Sequence, residues 1–169
     1  MKNALRQDPD VILVGEMQDV KTIQTALVAA ETGHLILTSL HASDSVDAIN
    51  RIISAFPAGQ QEQICLQLSH CLQGVVTQSL LPAKYGTKLI LATEVLVMTD
   101  AARNLIRTRT LSQLNSIIQT GAQYGMHTMD KSIKRLYDEG VLLKKPLWNI
   151  LSESKFKKSR TTECCQGLF

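Results

Sequence analysis

The stretch Pro9-Asp-Val-Ile-Leu-Val-Gly-Glu16 decides the fold of this 169-residue chain. Its central residues, Val11 to Val14, are all aliphatic, and three of the four are β-branched. Such a run predicts a short strand that is buried on both faces. Gly15 and Glu16 follow the strand directly. Because open α/β sheets bind ligands beyond the carboxyl ends of their strands, an acid at this point predicts a ligand site.

The remaining sequence continues the alternation of strand and helix patterns. This order predicts an α/β fold with a parallel sheet and crossover helices, followed by a hairpin and a helical region. Asp19 is a typical helix cap and Gly33 a typical helix stop. The predicted elements are a strand at 11–14, a helix from Asp19 to about Thr32, a strand at 35–40, a helix after Ser43 or Asp44, a helix from Pro57 to Gly74, strands at 75–81 and 89–97, and helices at about 99–108, 110–120 and 128–139.

The composition excludes several functional classes. A net charge of +3 is too small to predict a nucleic-acid binder. No run approaches the roughly 20 apolar residues that span a bilayer, and the start of the chain lacks the pattern of a signal peptide, so a cytoplasmic protein is predicted. The four cysteines include no C-x-x-C pair, and no zinc site is predicted.

The residues around the second strand add candidate chemistry. His34 precedes the strand, whereas Thr38 and His41 lie at its carboxyl end, where ligands bind. The two histidines are seven residues apart, so in a regular strand they point to opposite faces. An imidazole at position 41 could hydrogen-bond a phosphate. Glu16 could orient or deprotonate an attacking water. A solvated acid and a structural histidine remain the alternatives.

One expected motif is absent from the printed sequence. The phosphate-binding loop G-x-x-x-x-G-K-[ST] requires a Gly-Lys pair, and no such pair occurs in this chain. The chain also opens on what should be a central strand, so we expect an apolar and unpaired sheet edge. Both observations predict that an N-terminal portion of the fold is missing.

Together these features resemble the secretion ATPase superfamily, the type II/IV secretion ATPases. Within it, they resemble the twitching-motility retraction ATPases of type IV pili, over about residues 4 to 143. The resemblance rests on Ala4-Leu-Arg-Gln-Asp-Pro-Asp-Val-Ile-Leu-Val-Gly-Glu-Met17 as the Walker B block, on Ala30-Glu-Thr-Gly-His-Leu35 with Leu40-His-Ala42 as the His box, on Arg51-Ile-Ile-Ser-Ala-Phe-Pro57, and on Ala101-Ala-Arg-Asn-Leu-Ile-Arg107 with its continuation through Asp130.

The resemblance implies the C-terminal half of a RecA-like P-loop ATPase core and a set of site residues. Glu16 and His41 become catalytic, with Glu16 acting on magnesium through a water. Gly15 (where many ATPases place the magnesium-binding Asp), Thr38 and His34 become part of the ATP site. The resemblance also implies a hexameric ring, inner-membrane pilus platform proteins as partners, and a location at the cytoplasmic face of the inner membrane.

Further residues favour the retraction branch. Arg103, Asn104 and Arg107 match a segment that retraction needs, and the four-cysteine zinc module of extension ATPases is absent. The family usually has an arginine where this chain has Gln18. An arginine that reaches across the ring is expected, and Arg6, Arg51 and Arg103 are the candidates.

These inferences give three regions and two functional hypotheses. Residues 1–98 are predicted to be part of the ATPase domain, 99–143 a helical region, and 144–169 a divergent, disordered basic tail. The chain is predicted to be part of an ATP-hydrolysing motor for pilus retraction that is inactive alone. The alternative is a truncated or relic paralogue that acts as an interaction module for full-length subunits or the pilus base.

Overall fold

A single mixed sheet organises the protein. A computed structural model describes residue 7 and residues 9–84, 88–142 and 164–168, the last by their backbone. Within these ranges the strands are ordered β1-β2-β5-β3-β4. β1 and β2 are parallel, with Val11 opposite Leu35, and β3 and β4 form an antiparallel hairpin. The strands are β1 (Val11–Val14), β2 (Leu35–Leu40), β3 (Gly74–Pro82), β4 (Leu89–Val97) and β5 (Cys164–Leu168).

Four of the helices in the described ranges begin at a short polar residue that caps them. Asp19, Asp44, Thr99 and Thr128 each accept a hydrogen bond from a backbone N–H in the first turn that follows, a group that would otherwise lack a partner. The predicted order of helices is confirmed. They are α1 (Val20–Glu31), α2 (Ser45–Ser54), α3 (Gln61–Cys71), α4 (Asp100–Arg107), α5 (Leu114–Thr120) and α6 (Met129–Asp138), with 3₁₀ turns at Ala58–Gln60, Leu111–Gln113 and Ala122–Tyr124.

One hydrophobic core joins the regions that the sequence analysis separated. A continuous cluster of buried side chains runs from Ile12 on β1 through Leu68 on α3 and Leu96 on β4 to Ile106 and Ile118 on the later helices. Helices α4 and α5 therefore complete this core, while α6 packs on the β3-β4 hairpin in a second, smaller cluster. The predicted boundary between 98 and 99 does not divide two hydrophobic cores.

The prediction that β1 is buried on both faces is wrong. Ile12 is buried, but Val11 is 51% exposed and Leu13 is 78% exposed. Among the described residues, β1 pairs only with β2 and stands at the end of the sheet. The expectation of an apolar, unpaired edge is confirmed. The exposure of β1 has a tertiary cause. A face of a strand is buried only if another element packs on it.

The carboxyl-terminal segment also differs from expectation. Residues 164–168, predicted to belong to a disordered tail, form strand β5 between β2 and β3. The rest of the predicted tail, 144–163 and 169, lies outside the described residues, as does Arg6. None of the helices within the described ranges combines the length and the apolar character needed to cross a membrane.

Replacing Leu13 with Glu is expected to raise the solubility limit of the protein several-fold without destabilising it. A charge on an exposed apolar edge opposes pairing between copies. Exposed substitutions usually change the free energy of unfolding by less than about 0.5 kcal/mol. Static light scattering against concentration and urea unfolding measure the two effects. The buried neighbour provides the control, since Ile12→Glu should unfold the chain. Unchanged aggregation in Leu13→Glu would contradict the expectation that copies of the chain associate through β1.

Candidate active site: the carboxyl ends of β1 and β2

The two predicted catalytic side chains meet at one edge of the sheet. Glu16 lies two residues beyond β1, and His41 directly follows β2. Because β1 and β2 are parallel neighbours, both side chains arrive at the same end. His41 Nε2 lies 3.2 Å from Glu16 Oε1. The sequence placed both residues at strand ends, and the fold brings them into contact.

A second side chain holds the other oxygen of the carboxylate. Gln18 Nε2 donates a hydrogen bond of 2.7 Å to Glu16 Oε2. The Glu16 side chain is 32% exposed and that of His41 is 60% exposed. Both remain accessible to a ligand from solvent. Gln18 therefore contacts Glu16 directly and orients its carboxylate.

Ser39 fixes the loop that carries Glu16. The Ser39 hydroxyl donates to the carbonyl of Gly15, and the Ser39 carbonyl accepts a hydrogen bond of 3.1 Å from Met17 N–H. These bonds flank Glu16 on both sides and attach its loop to β2. The role of Ser39 could not be predicted from the sequence, because a single serine in a strand carries no local signal for a partner 24 residues away.

The side chains of two predicted nucleotide-site residues are not part of the Glu16–His41 contact. Thr38 is buried, and its side chain belongs to the face of β2 opposite that of Ser39. His34 precedes β2, so a strand of about 20 Å separates it from His41. His34 Nδ1 is 3.0 Å from the carbonyl oxygen of Ala29, to which it donates, and it closes the end of α1. The structure thus gives His34 a local role at the end of a helix.

The loop after His41 is tied to the start of α2. Asp44 accepts a hydrogen bond of 2.7 Å from Asp47 N–H, while Asp47 Oδ2 accepts bonds from Ser43 N–H at 2.9 Å and from Arg51 Nε at 3.0 Å. This is a reciprocal cap of the kind that fixes the entry of a chain into a helix. Burial raises the pKa of Asp47, but the hydrogen bonds from Ser43 and Arg51 outweigh burial and lower the pKa from its ordinary value.

A buried acid anchors the same helix from the other side. Glu94 on β4 is only 6% exposed. Its Oε1 accepts hydrogen bonds from Ser45 N–H at 3.0 Å and from the Ser45 hydroxyl at 2.8 Å. This contact was not predicted from the sequence, although the sequence carries a signal for it. Glu94 shares its face of β4 with Ala92 and Leu96, which are fully buried, and an acid on an apolar face needs a partner.

The predicted retraction segment lies on α4 and separates into two parts. The Arg103 guanidinium donates to the carbonyls of Ser69 at 2.8 Å and His70 at 3.0 Å, and to Gln73 Oε1 at 3.1 Å. Arg103 therefore satisfies carbonyls at the carboxyl end of α3, where cations are favourable.

The remaining members of the segment face solvent. Arg107 donates to Asn104 Oδ1 at 2.8 Å on the exposed side of α4. Among the candidates for an arginine that crosses between subunits, Arg103 is engaged within the chain, and Arg51 pairs with Asp47 at 3.0 Å.

Arg103→Ala is expected to lower the free energy of unfolding by about 2 kcal/mol, because hydrogen bonds from a charged group are lost and carbonyls at the end of α3 lose their donor. Arg107→Ala, on the same helix and of the same residue type, should change it by less than about 0.5 kcal/mol. Urea unfolding of the two variants tests the difference. Equal effects would contradict a capping role for Arg103.

The described residues contain no group of three or more His, Cys, Asp or Glu side chains that could hold a metal ion. Burial raises the pKa of the Cys65 and Cys71 thiols, so both are neutral core residues. The chemistry at the Glu16–His41 pair is that of a carboxylate that accepts a hydrogen bond from Gln18 and lies 3.2 Å from an exposed imidazole. Such a pair can position a water or hydrogen-bond an anionic group.

Three comparisons bear on this site. The family model described as Type II/IV secretion system protein matches residues 1–140. A protein of Neisseria gonorrhoeae described as "Twitching motility protein" is 45% identical over 142 residues, which are 84% of this chain and 38% of that protein. The Pseudomonas aeruginosa protein "Type IV pilus retractation ATPase PilT" is 44% identical over 142 residues, which are 84% of this chain and 41% of that protein.

The chain is also similar to a solved structure of a pilus retraction motor. The crystal structure of the pilus retraction motor PilT with bound ADP superposes with a TM-score of 0.76 at 46% identity, and covers 84% of this chain and 39% of that one. The chain thus spans about two fifths of the length of the relatives it matches. Since the family model covers most of the chain, including both strands that carry the Glu16–His41 pair, the chain belongs to the Type II/IV secretion system protein family.

Proposed function

We propose that this chain supplies the Walker B and His-box part of an ATPase that drives retraction of a type IV pilus. The contact between Glu16 and His41 carries the proposal. Two residues that are 25 positions apart in the chain meet at the carboxyl ends of adjacent parallel strands, 3.2 Å apart. The similarity to a retraction motor whose structure contains ADP supports a nucleotide as the ligand.

Each side chain has a distinct role in this proposal. Glu16 orients or deprotonates the water that attacks the γ-phosphate of ATP. His41 approaches one carboxylate oxygen and Gln18 donates to the other, so Glu16 is held in one orientation. The exposed edge of His41 hydrogen-bonds the γ-phosphate. Gly15 is part of the loop that carries Glu16, and its carbonyl accepts a hydrogen bond from the Ser39 hydroxyl.

Magnesium fits this arrangement only through water. A single carboxylate at a solvent-accessible edge is the donor set that Mg²⁺ uses when it keeps several waters. Glu16 would hold one of those waters, and the ion would neutralise charge on the phosphates. Under the proposal the working particle is a hexameric ring of such subunits at the cytoplasmic face of the inner membrane, in contact with the pilus platform.

A chimera tests the proposal. Residues 1–142 of this chain would replace the corresponding segment of the Pseudomonas aeruginosa retraction ATPase, with which this chain is 44% identical over 142 residues. We expect magnesium-dependent ATP hydrolysis by the purified chimera and twitching in a strain that lacks the native protein. A chimera that assembles and binds nucleotide, but neither hydrolyses ATP nor restores twitching, would refute the proposal.

One observation favours a second candidate, a non-catalytic interaction module. The chain contains no G-x-x-x-x-G-K-[ST] sequence, so no loop of this type cradles the β- and γ-phosphates. A module of this kind would bind full-length subunits without turning over ATP. An active chimera combined with a chain that is inactive in the cell would indicate this alternative.

The pure 169-residue chain is expected to show no magnesium-dependent ATP hydrolysis above background. We also expect no ATP binding with a Kd below about 1 mM. The physical reason is that neither a phosphate loop nor its lysine is present to offset the charge of the phosphates. Release of inorganic phosphate and isothermal titration measure the two quantities. The chimera provides the matched positive control. Turnover by the pure chain that disappears in Glu16→Ala would overturn this expectation.

A further inference from the structure

Strand β5 holds the sheet together. β2 and β3 do not pair with each other, because β5 lies between them and is antiparallel to both. Gln166, at its centre, stands opposite Ser39 on β2 and Val76 on β3. Within the described residues, β5 is therefore the only strand that connects the β1-β2 pair to the β3-β4 hairpin.

The position of β5 has a clear energetic consequence. Without it, one edge of β2 and one edge of β3 would each present unpaired N–H and C=O groups within the sheet. Unpaired backbone groups in such a place are costly and readily accept another strand. The five-residue strand β5 pairs with these backbone groups on both sides, as in recognition by strand addition.

The segment comes from a part of the chain that the family match does not reach. The family model ends at residue 140, whereas β5 begins at Cys164. The intervening residues, 143–163, have a contour length of about 70 Å at roughly 3.3 Å per residue. Because β5 is covalently joined to the molecule that carries the gap, and the connection is long enough to reach it, an intramolecular occupant is favoured over a second copy.

We propose that the gap between β2 and β3 is a strand-binding site, and that its occupant is this chain's own segment 164–168. The segment docks in the registers Leu40 opposite Cys165 and Gln78 opposite Cys164. It completes the sheet in a chain that spans two fifths of its relatives' length. The site recognises an extended backbone, and the docked segment is displaceable by a strand that pairs in the same gap. The proposal does not depend on any activity at Glu16.

A proline at the centre of β5 tests the proposal in the full chain. Gln166→Pro removes a backbone donor from the middle of the strand, whereas Gln166→Ala keeps that donor and serves as the matched control. We expect amides in 35–40 and 74–78 to exchange hydrogen about 10-fold faster in Gln166→Pro. Amides in α2 and α3 should exchange as in the unmodified chain, and Gln166→Ala should resemble that chain throughout.

A synthetic peptide separates loss of docking from general unfolding. Residues 161–169 with the natural sequence, added in excess to Gln166→Pro, should restore slow exchange at 35–40 and 74–78. The same peptide with proline at 166 should not. Recovery with the natural peptide supports the proposal even if Gln166→Pro unfolds more widely.

Three results would overturn the proposal. The first is unchanged exchange at 35–40 and 74–78 in Gln166→Pro. The second is faster exchange everywhere, without recovery when the natural peptide is added. The third is protection in the unmodified chain that falls on dilution, because the occupant would then be the segment of a second copy.

Discussion

Replacing Glu16 with Gln in the chimera is expected to lower ATP turnover by about 10²- to 10⁴-fold, the usual contribution of a positioned general base. Glutamine keeps the size of the side chain and an oxygen that can accept from Gln18 or His41. It removes the negative charge and the basic oxygen. The effect therefore reports on chemistry at Glu16 and not on the shape of the site. Single-turnover hydrolysis with saturating MgATP measures it, because it separates chemistry from nucleotide binding.

Two control variants separate the loss of a hydrogen bond to Glu16 from the loss of its charge. Gln18→Ala releases one carboxylate oxygen but leaves His41 in place, and it should lower turnover by less than about 10-fold. Gln18→Arg introduces the residue that the resemblance leads us to expect at this position, keeps a donor beside Glu16, and should retain turnover. If Glu16→Gln kept more than a tenth of the activity, Glu16 would not be the base, and the role would pass to another group near His41.

Much of the fold could be predicted because its signals are local. The aliphatic run at 11–14, the cap at Asp19 and the stop at Gly33 each act within a few residues, and they fixed the order of strands and helices. The exposure of Leu13 could not be predicted in this way. It depends on which elements pack against β1, and a run of aliphatic residues reads the same at the centre of a sheet as at its edge.

In the candidate site too, features with local sequence signals could be predicted, and features that depend on remote partners could not. Glu16 and His41 could be predicted because each stands at a strand end, and parallel strands bring their ends together. The roles of Arg103 and β5 could not, since their partners are remote in sequence. Arg103 was placed in a retraction segment by resemblance, yet its guanidinium is engaged by the carbonyls of Ser69 and His70. The sequence of β5 has neither alternation nor a flanking turn signal, and its pairing depends entirely on a gap left between other strands.

Glu94→Ala is expected to lower the free energy of unfolding by about 3 kcal/mol, since removing a partner from a buried donor costs about 1–3 kcal/mol for each group left unsatisfied. Two donors are involved, the N–H and the hydroxyl of Ser45, and both lie in the core. Glu94→Gln keeps the accepting oxygen and should cost less than half as much. Urea unfolding with an unchanged dependence on denaturant measures the loss.

A double-mutant cycle measures how much of this loss belongs to the contact between Glu94 and the Ser45 hydroxyl. Ser45→Ala removes the hydroxyl but leaves its N–H, so Glu94 would still accept one hydrogen bond. If the contact dominates, the two losses should fall short of additivity by about 1 kcal/mol or more, because each change removes part of the same interaction. Additive losses would exclude the hydroxyl contact, and the cost of Glu94→Ala would then come from the unfilled volume and from the N–H of residue 45, which loses its acceptor. The distinction matters for the site, because Ser45 opens the helix that follows the His41 loop. A contact that fixes the start of α2 also limits where that loop, and with it His41, can lie.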